Sequence, residues 1–184
     1  GFGNVGRVLC RYLLNMGSLV TVVRQRCWNI TAVEGEERCA VREGVGKVSS
    51  LEEALPGTDI LILVCTTTPE TVHLINKKTI SMLPQGALIV NVGRGPLVEY
   101  DAVLGGLNSG HIGGFASDVG VSHSVKPSEP WDPDDELSNH EKAIFTPHVG
   151  GYTDYSYGIM AEKIVDAIDC VVRGEPPPVW VNKG

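Results

Sequence analysis

Two uninterrupted apolar runs constrain this chain more than anything else in it. Ile60-Leu61-Ile62-Leu63-Val64 follows Asp59, and Ala87-Leu88-Ile89-Val90 runs up to Asn91. A strand with one face in water alternates apolar and polar residues. A strand covered on both faces does not need to. Such strands belong to parallel sheets with helices packed on either side. The rest of the chain supplies those helices. Val5 to Met16 places Val8, Leu9, Tyr12 and Leu13 at helical spacing and stops at Gly17. Leu19 to Val23 reads as a strand. Ser50-Leu51-Glu52-Glu53 has the capping-box pattern of a short helix that Pro56-Gly57 ends.

Glu70 to Ile75, Lys77 to Met82 and Glu99 to Asn108 read as helices. Gly114 to Asp118 and Ala143 to Phe145 read as short strands. Thr153 to Arg173 is a long helix with Met160, Ile164, Ile168 and Val172 on one stripe. The polar stretch from Arg24 to Gly46 suggests no element. Strands and helices alternate throughout, so the expected class is α/β, a Rossmann-type doubly wound parallel sheet. Residues 1–151 would form a dinucleotide-binding domain, and residues 152–184 a C-terminal helix and tail.

Composition narrows the function classes. A formal charge of −7 disfavours a nucleic-acid binder, which needs a basic surface. No apolar run is long enough to span a bilayer, so no membrane partner is expected. The five cysteines form no C-x-x-C pair and leave one over, which fits reduced thiols of an intracellular protein and argues against a zinc site.

Gly1-Phe2-Gly3-Asn4-Val5-Gly6 fits G-x-G-x-x-G, the turn from a first strand into a first helix. That turn needs a strand ahead of it, so the sheet is expected to be incomplete at its N-terminus and the chain to be a fragment. In an open parallel sheet, ligands bind beyond the carboxyl ends of the strands. Arg24 and Arg26 follow the second strand, near the position of the ribose reader. A carboxylate there would accept from the 2′-hydroxyl of NAD. Two arginines instead suit a 2′-phosphate, which favours NADP(H) over NAD(H), although a solvated basic turn is the plainer alternative. Val92-Gly93-Arg94-Gly95 follows the Ala87 strand. Arg94 offers a fork for a small carboxylate, or is simply a surface arginine. Asp118 follows the next strand and either holds a nicotinamide amide or caps a turn. Thr146-Pro147-His148-Val149-Gly150-Gly151 follows the last one. Imidazole changes charge near neutrality, so a histidine at position 148 can serve as acid and base in one cycle, or stand as a structural residue. Arg94, Asp118 and His148 thus trail three successive strands. The remaining histidines, His73, His111, His123 and His140, have no such setting.

At this point the chain resembles the D-isomer-specific 2-hydroxyacid dehydrogenases, the family of D-lactate, glycerate, phosphoglycerate and formate dehydrogenases and glyoxylate/hydroxypyruvate reductases. The carriers are the glycine turn, Pro69-Glu70-Thr71-Val72-His73-Leu74-Ile75-Asn76, the long motif from Gly86 to Val98, Ser128-Glu129-Pro130, and Thr146 to Gly151. The resemblance implies hydride transfer between NAD(P)H and a small 2-oxo or 2-hydroxy acid. Arg94 would bind the substrate carboxylate and polarise its keto oxygen. His148 would exchange the proton, and Glu129 would favour its charged form. The pyrophosphate would rest on the backbone of Gly1, Gly3, Asn4, Val5 and Gly6. Cys65, Thr66, Val92, Gly93, Asp118 and Gly151 would line the cofactor.

The resemblance also marks departures. The first strand, central in this fold, is missing, which would leave two apolar strands with unpaired edges. The substrate domain is missing too, so these 184 residues alone are expected to have little or no turnover. The stretch between Asp118 and Glu129 is longer than usual and resembles an insertion ahead of Ser128-Glu129-Pro130. The helix from Thr153 would pack toward the missing domain. Family members are usually homodimers, and the cytosol is the default compartment, with an organelle address upstream left open. The rival readings are the same chemistry with NAD, a non-catalytic NAD(P)-binding module of the corepressor type, and an inactive truncated product.

Overall fold

The apolar runs form adjacent parallel strands in the computed structural model, which describes residues 1–23, 45–120 and 135–177. Contacts divide the chain into two units, Gly1–Pro147 and His148–Gly184. The first unit contains, in order, α1 (Asn4–Asn15), β1 (Val20–Val23), β2 (Val45–Val48), α2 (Leu51–Ala54), β3 (Ile60–Leu63), α3 (Lys77–Ser81), β4 (Ala87–Asn91), α4 (Tyr100–Asn108), β5 (Ile112–Ser117) and β6 (Ala143–Phe145). The second contains α5 (Asp154–Val172).

Every strand pair is parallel, as the continuous apolar runs require. The strands fall into two sheets, β1-β2 and β3-β4-β5-β6. In the larger sheet Ile60 pairs with Leu88 and Leu63 with Asn91, so β3 and β4 end level. Asn91 pairs with Ser117, and Ser117 with Phe145, which brings the ends of β4, β5 and β6 to one edge. Sequence order and spatial order coincide across this sheet, with α3 in the β3–β4 crossover and α4 in the β4–β5 crossover.

The core is likewise in two parts. Leu55, Ile75, Ile89, Leu97, Val103, Leu107, Ile112 and Phe115 belong to one buried cluster around the larger sheet. Phe2, Cys10 and Val22 form a smaller one beside β1. α1 therefore packs through Gly6 and Cys10, while Val8 and Tyr12 of its expected apolar line face outward.

Two sequence expectations need correction. Glu70 to Ile75 is a series of turns and not a helix. The Thr71 hydroxyl bonds the Thr66 carbonyl at 3.0 Å and accepts the Thr68 N–H at 2.7 Å, and these local bonds compete with helical ones. His73 also sits at φ 51°, outside right-handed helix. Second, β2 forms at Val45, inside the stretch that suggested no element. The Ser50 cap holds: its side chain accepts the Glu53 N–H at 3.3 Å.

α5 buries none of its residues within its own unit, and Met160, Ile164, Ile168 and Val172 of its stripe are exposed. No helix among the described residues is long and apolar enough to cross a membrane.

Candidate functional site

The end of β3 is where the glycine turn and the Arg94 loop converge. Gly1 lies so close to it that a Cβ there would stand 2.8 Å from the Val64 carbonyl oxygen and 3.1 Å from the Cys65 nitrogen. Gly93 approaches from the other side. Its Cβ would stand 2.7 Å from the Cys65 carbonyl oxygen. Both contacts are with backbone, so neither position tolerates a side chain without rearrangement. Gly6 has a third role: a Cβ there would meet the Gly1 carbonyl oxygen at 2.6 Å, so α1 seats directly on the turn.

Gly3 differs from all of these. Nothing stands within 4 Å of its would-be Cβ, and it caps α1 without a side-chain hydrogen bond. The first turn of α1 carries no acidic residue. An uncapped helix start with open space before it suits an anion, because backbone N–H groups there lack helical acceptors and the helix dipole adds positive potential. Asn4 spends its own side chain locally, accepting from the Arg7 guanidinium.

Arg94 is exposed, but the loop that carries it is held from beneath. Asn91 is fully buried. Its Nδ2 donates to the Arg94 carbonyl at 2.9 Å, and its Oδ1 accepts the Gly93 N–H at 3.1 Å. The Arg94 guanidinium donates to the Gly93 carbonyl at 2.6 Å. Below the loop, Val92 N–H donates to the Leu63 carbonyl at 3.1 Å. The Asn91 carbonyl accepts the Asp118 N–H at 3.1 Å. Thr146 closes the row. Its N–H donates to the Ser117 carbonyl at 3.0 Å and its hydroxyl bonds the Asp118 carboxylate. A continuous stitch thus joins the ends of β3, β4, β5 and β6, and it sets Cys65, Val92, Gly93 and Asp118 along one edge.

The other expected site residues stand as follows. Thr66 is exposed in the loop after β3, where its carbonyl anchors Thr71. His148 opens the second unit, exposed and at φ 57°. A left-handed histidine is unfavourable by roughly 1 kcal/mol, and such outliers concentrate at functional positions. Gly151 has open space around it. Arg24, Arg26 and Glu129 lie outside the described residues.

Sequence reasoning missed Asn91, Ser117 and Thr146. Asn91 gave a readable signal, since asparagine is uncommon in strands and stands here at the end of a fully apolar one. A further anchor also went unread. The Tyr100 hydroxyl donates to Asp135 Oδ1 at 2.7 Å and accepts the Leu137 N–H at 3.0 Å. Burial first, and then this bond to Asp135, push its phenol up to about 12.

The match to known proteins covers most of the chain. The family model described as "D-isomer specific 2-hydroxyacid dehydrogenase, NAD binding domain" matches residues 1–150. A D-lactate dehydrogenase of Treponema pallidum (strain Nichols) is 29% identical in an alignment of 188 positions that covers 96% of this chain and 52% of that protein. A glyoxylate reductase of Pyrococcus furiosus is 28% identical over 183 residues, all of this chain and 50% of that one. Among solved structures, a D-isomer specific 2-hydroxyacid dehydrogenase from Xanthobacter autotrophicus Py2 in complex with NADPH and MES superposes with a TM-score of 0.79 at 28% identity, covering 99% of this chain and 68% of that one. The chain spans about half the length of the curated relatives it matches.

Proposed function

The chain belongs to the D-isomer specific 2-hydroxyacid dehydrogenase family, and from that premise we propose that it forms the nucleotide-binding part of an enzyme that moves a hydride between NADP(H) and a small 2-oxo or 2-hydroxy acid. One observation carries this reading: the glycine turn and the Arg94 loop meet at the carboxyl end of β3, through Gly1, Cys65 and Gly93.

The residues present fit a dinucleotide. Gly3 leaves space where a side chain would block a pyrophosphate, and the start of α1 offers backbone donors with no acidic residue to oppose them. Asn4 and Val5 would provide those donors, with Gly1 and Gly6 holding the turn tight. Cys65, Thr66, Val92, Gly93, Asp118 and Gly151 would line the remainder. When bound, the nicotinamide supplies or accepts the hydride. Arg24 and Arg26 would pair with a 2′-phosphate, which is the reason for favouring NADP(H).

Arg94 would grip the substrate carboxylate with two parallel hydrogen bonds and draw electron density from the keto oxygen. His148 would give that oxygen a proton in reduction and take one in oxidation. Glu129 would hold the imidazole in its charged form, so Glu129→Gln should shift the optimum for reduction to lower pH. An unmoved pH profile would remove Glu129 from the scheme.

The first test is titration of the chain with NADPH and with NADH by calorimetry, repeated with Arg24→Asp. Tighter binding of NADPH, reversed by the substitution, supports the reading. Binding of neither cofactor overturns it. Preference for NADH in the parent chain overturns the role of the two arginines. The chain alone should reduce hydroxypyruvate or glyoxylate slowly or not at all, and ordinary enzymatic rates from it would refute that expectation.

A further inference from the structure

Asp118 owes the setting of its carboxylate to the strand beside it. β5 and β6 are parallel, and Ser117 pairs with Phe145 at their ends. The residues that follow, Asp118 and Thr146, are therefore neighbours at the rim of the sheet. The Thr146 N–H already ties the two strands there, donating to the Ser117 carbonyl at 3.0 Å. The Thr146 hydroxyl then makes a second bond, to the Asp118 carboxylate. As a tether this second bond is redundant. It joins an exposed residue to a half-buried one, where water can replace either partner and the net gain in stability is small.

What the second bond sets is direction. An aspartate after a strand is drawn to the backbone N–H groups that follow it. Here the Val119 N–H bonds the Ser117 hydroxyl at 3.2 Å, and that hydroxyl donates to the Val119 carbonyl at 2.5 Å. The Asp118 N–H donates to the Asn91 carbonyl at 3.1 Å. The backbone of Asp118 is thus held from β4, and its carboxylate from the residue after β6. Threonine suits this duty. Its β-branch restricts χ1, so the hydroxyl points in a defined direction. A carboxylate has acceptor sites for about four hydrogen bonds, so it can hold the Thr146 hydroxyl and still accept from a ligand amide.

We infer that Thr146 is a positioning residue for the nicotinamide carboxamide: it fixes the Asp118 carboxylate so that it accepts from the carboxamide NH2 group, a role that rests on the reading that Asp118 lines the dinucleotide site. Thr146 itself touches neither cofactor nor substrate in this scheme. It acts through Asp118.

The test is calorimetric and needs no turnover. NADPH is compared with 2′-phospho-ADP-ribose, and NADH with ADP-ribose, so each pair differs by the nicotinamide alone. The parent chain should bind the complete cofactor of its preferred pair at least about fivefold tighter than the nicotinamide-free partner. Thr146→Val keeps the shape of the side chain and removes its hydroxyl. It should abolish most of that margin while leaving affinity for the nicotinamide-free partner within about twofold. Thr146→Ser should restore the margin. Asp118→Ala should lose it as well, and adding Thr146→Val to Asp118→Ala should change nothing more. A structural role alone would weaken both members of a pair equally, or lower the thermal midpoint without touching the margin, and either result overturns the proposal. Additive losses in the double variant overturn it too, since Thr146 would then act without Asp118. Equal affinity of the parent chain for both members of each pair overturns the proposal and leaves the dinucleotide-binding reading standing. Binding of no member overturns both.

Discussion

Asn91 gives the sharpest test of how the Arg94 loop is held. The side chain is fully buried and makes one bond in each direction, donating to the Arg94 carbonyl and accepting from Gly93. The two losses in Asn91→Ala are unequal. The Arg94 carbonyl also accepts the Leu97 N–H at 3.2 Å, so it keeps a partner. The Gly93 N–H is buried and loses the acceptor that Asn91 provides. A lost bond costs about 1 kcal/mol and a stranded buried donor roughly 1–3 kcal/mol, so Asn91→Ala should lower stability by about 2–4 kcal/mol. Against the 5–15 kcal/mol or so typical of a domain, that is a large fraction. Asn91→Asp separates the two bonds. It keeps an acceptor for Gly93 but turns an oxygen toward the Arg94 carbonyl and buries a carboxylate. Burial should raise that carboxyl's pKa above its unfolded value, so the folded state holds its proton more tightly. The variant is then at its most stable in acid and loses stability as pH rises through the window between the two values. Urea unfolding followed by circular dichroism at about pH 5 and about pH 7.5 reads both effects. Asn91→Ala within about 0.5 kcal/mol of the parent, or Asn91→Asp more stable at the higher pH, would show that the loop is held by something else.

Three further outcomes are expected. Gly6→Ala puts a methyl 2.6 Å from the Gly1 carbonyl oxygen, a backbone atom that cannot swing aside. It should weaken dinucleotide binding at least tenfold by calorimetry, and an unchanged affinity would show that α1 can back away from the turn. Tyr100 ionises at about 12 in the fold, above the ordinary phenol, so its stabilisation is complete below about pH 10 and fades toward pH 12; Tyr100→Phe should flatten that part of an alkaline unfolding curve and cost about 1–2 kcal/mol at neutral pH. His148 at φ 57° predicts that His148→Asn keeps the thermal midpoint while His148→Val lowers it by several degrees, because β-branched residues fit the left-handed region poorly; equal midpoints would show that the segment relaxes.

What the sequence disclosed follows from where each element sits. β3 and β4 were legible because each is an unbroken apolar run, although the structure buries only one face of each, with Leu61, Leu63, Ala87 and Ile89 buried and Ile60 and Leu88 exposed. β2 was not, because Val45-Gly46-Lys47-Val48 has Gly46 and Lys47 exposed and nothing apolar or periodic to mark it. The turns at Glu70 to Ile75 mimicked a helix by the spacing of Val72 and Ile75. The Thr71 hydroxyl decides the matter locally, and no periodicity reports it. The site divides the same way. Gly93, Arg94, Asp118 and His148 could be named because chemistry in a parallel sheet collects after its strands. The stitch from Asn91 to Asp118 to Thr146 could not, because it depends on which strands are neighbours, and spatial order is not a local property.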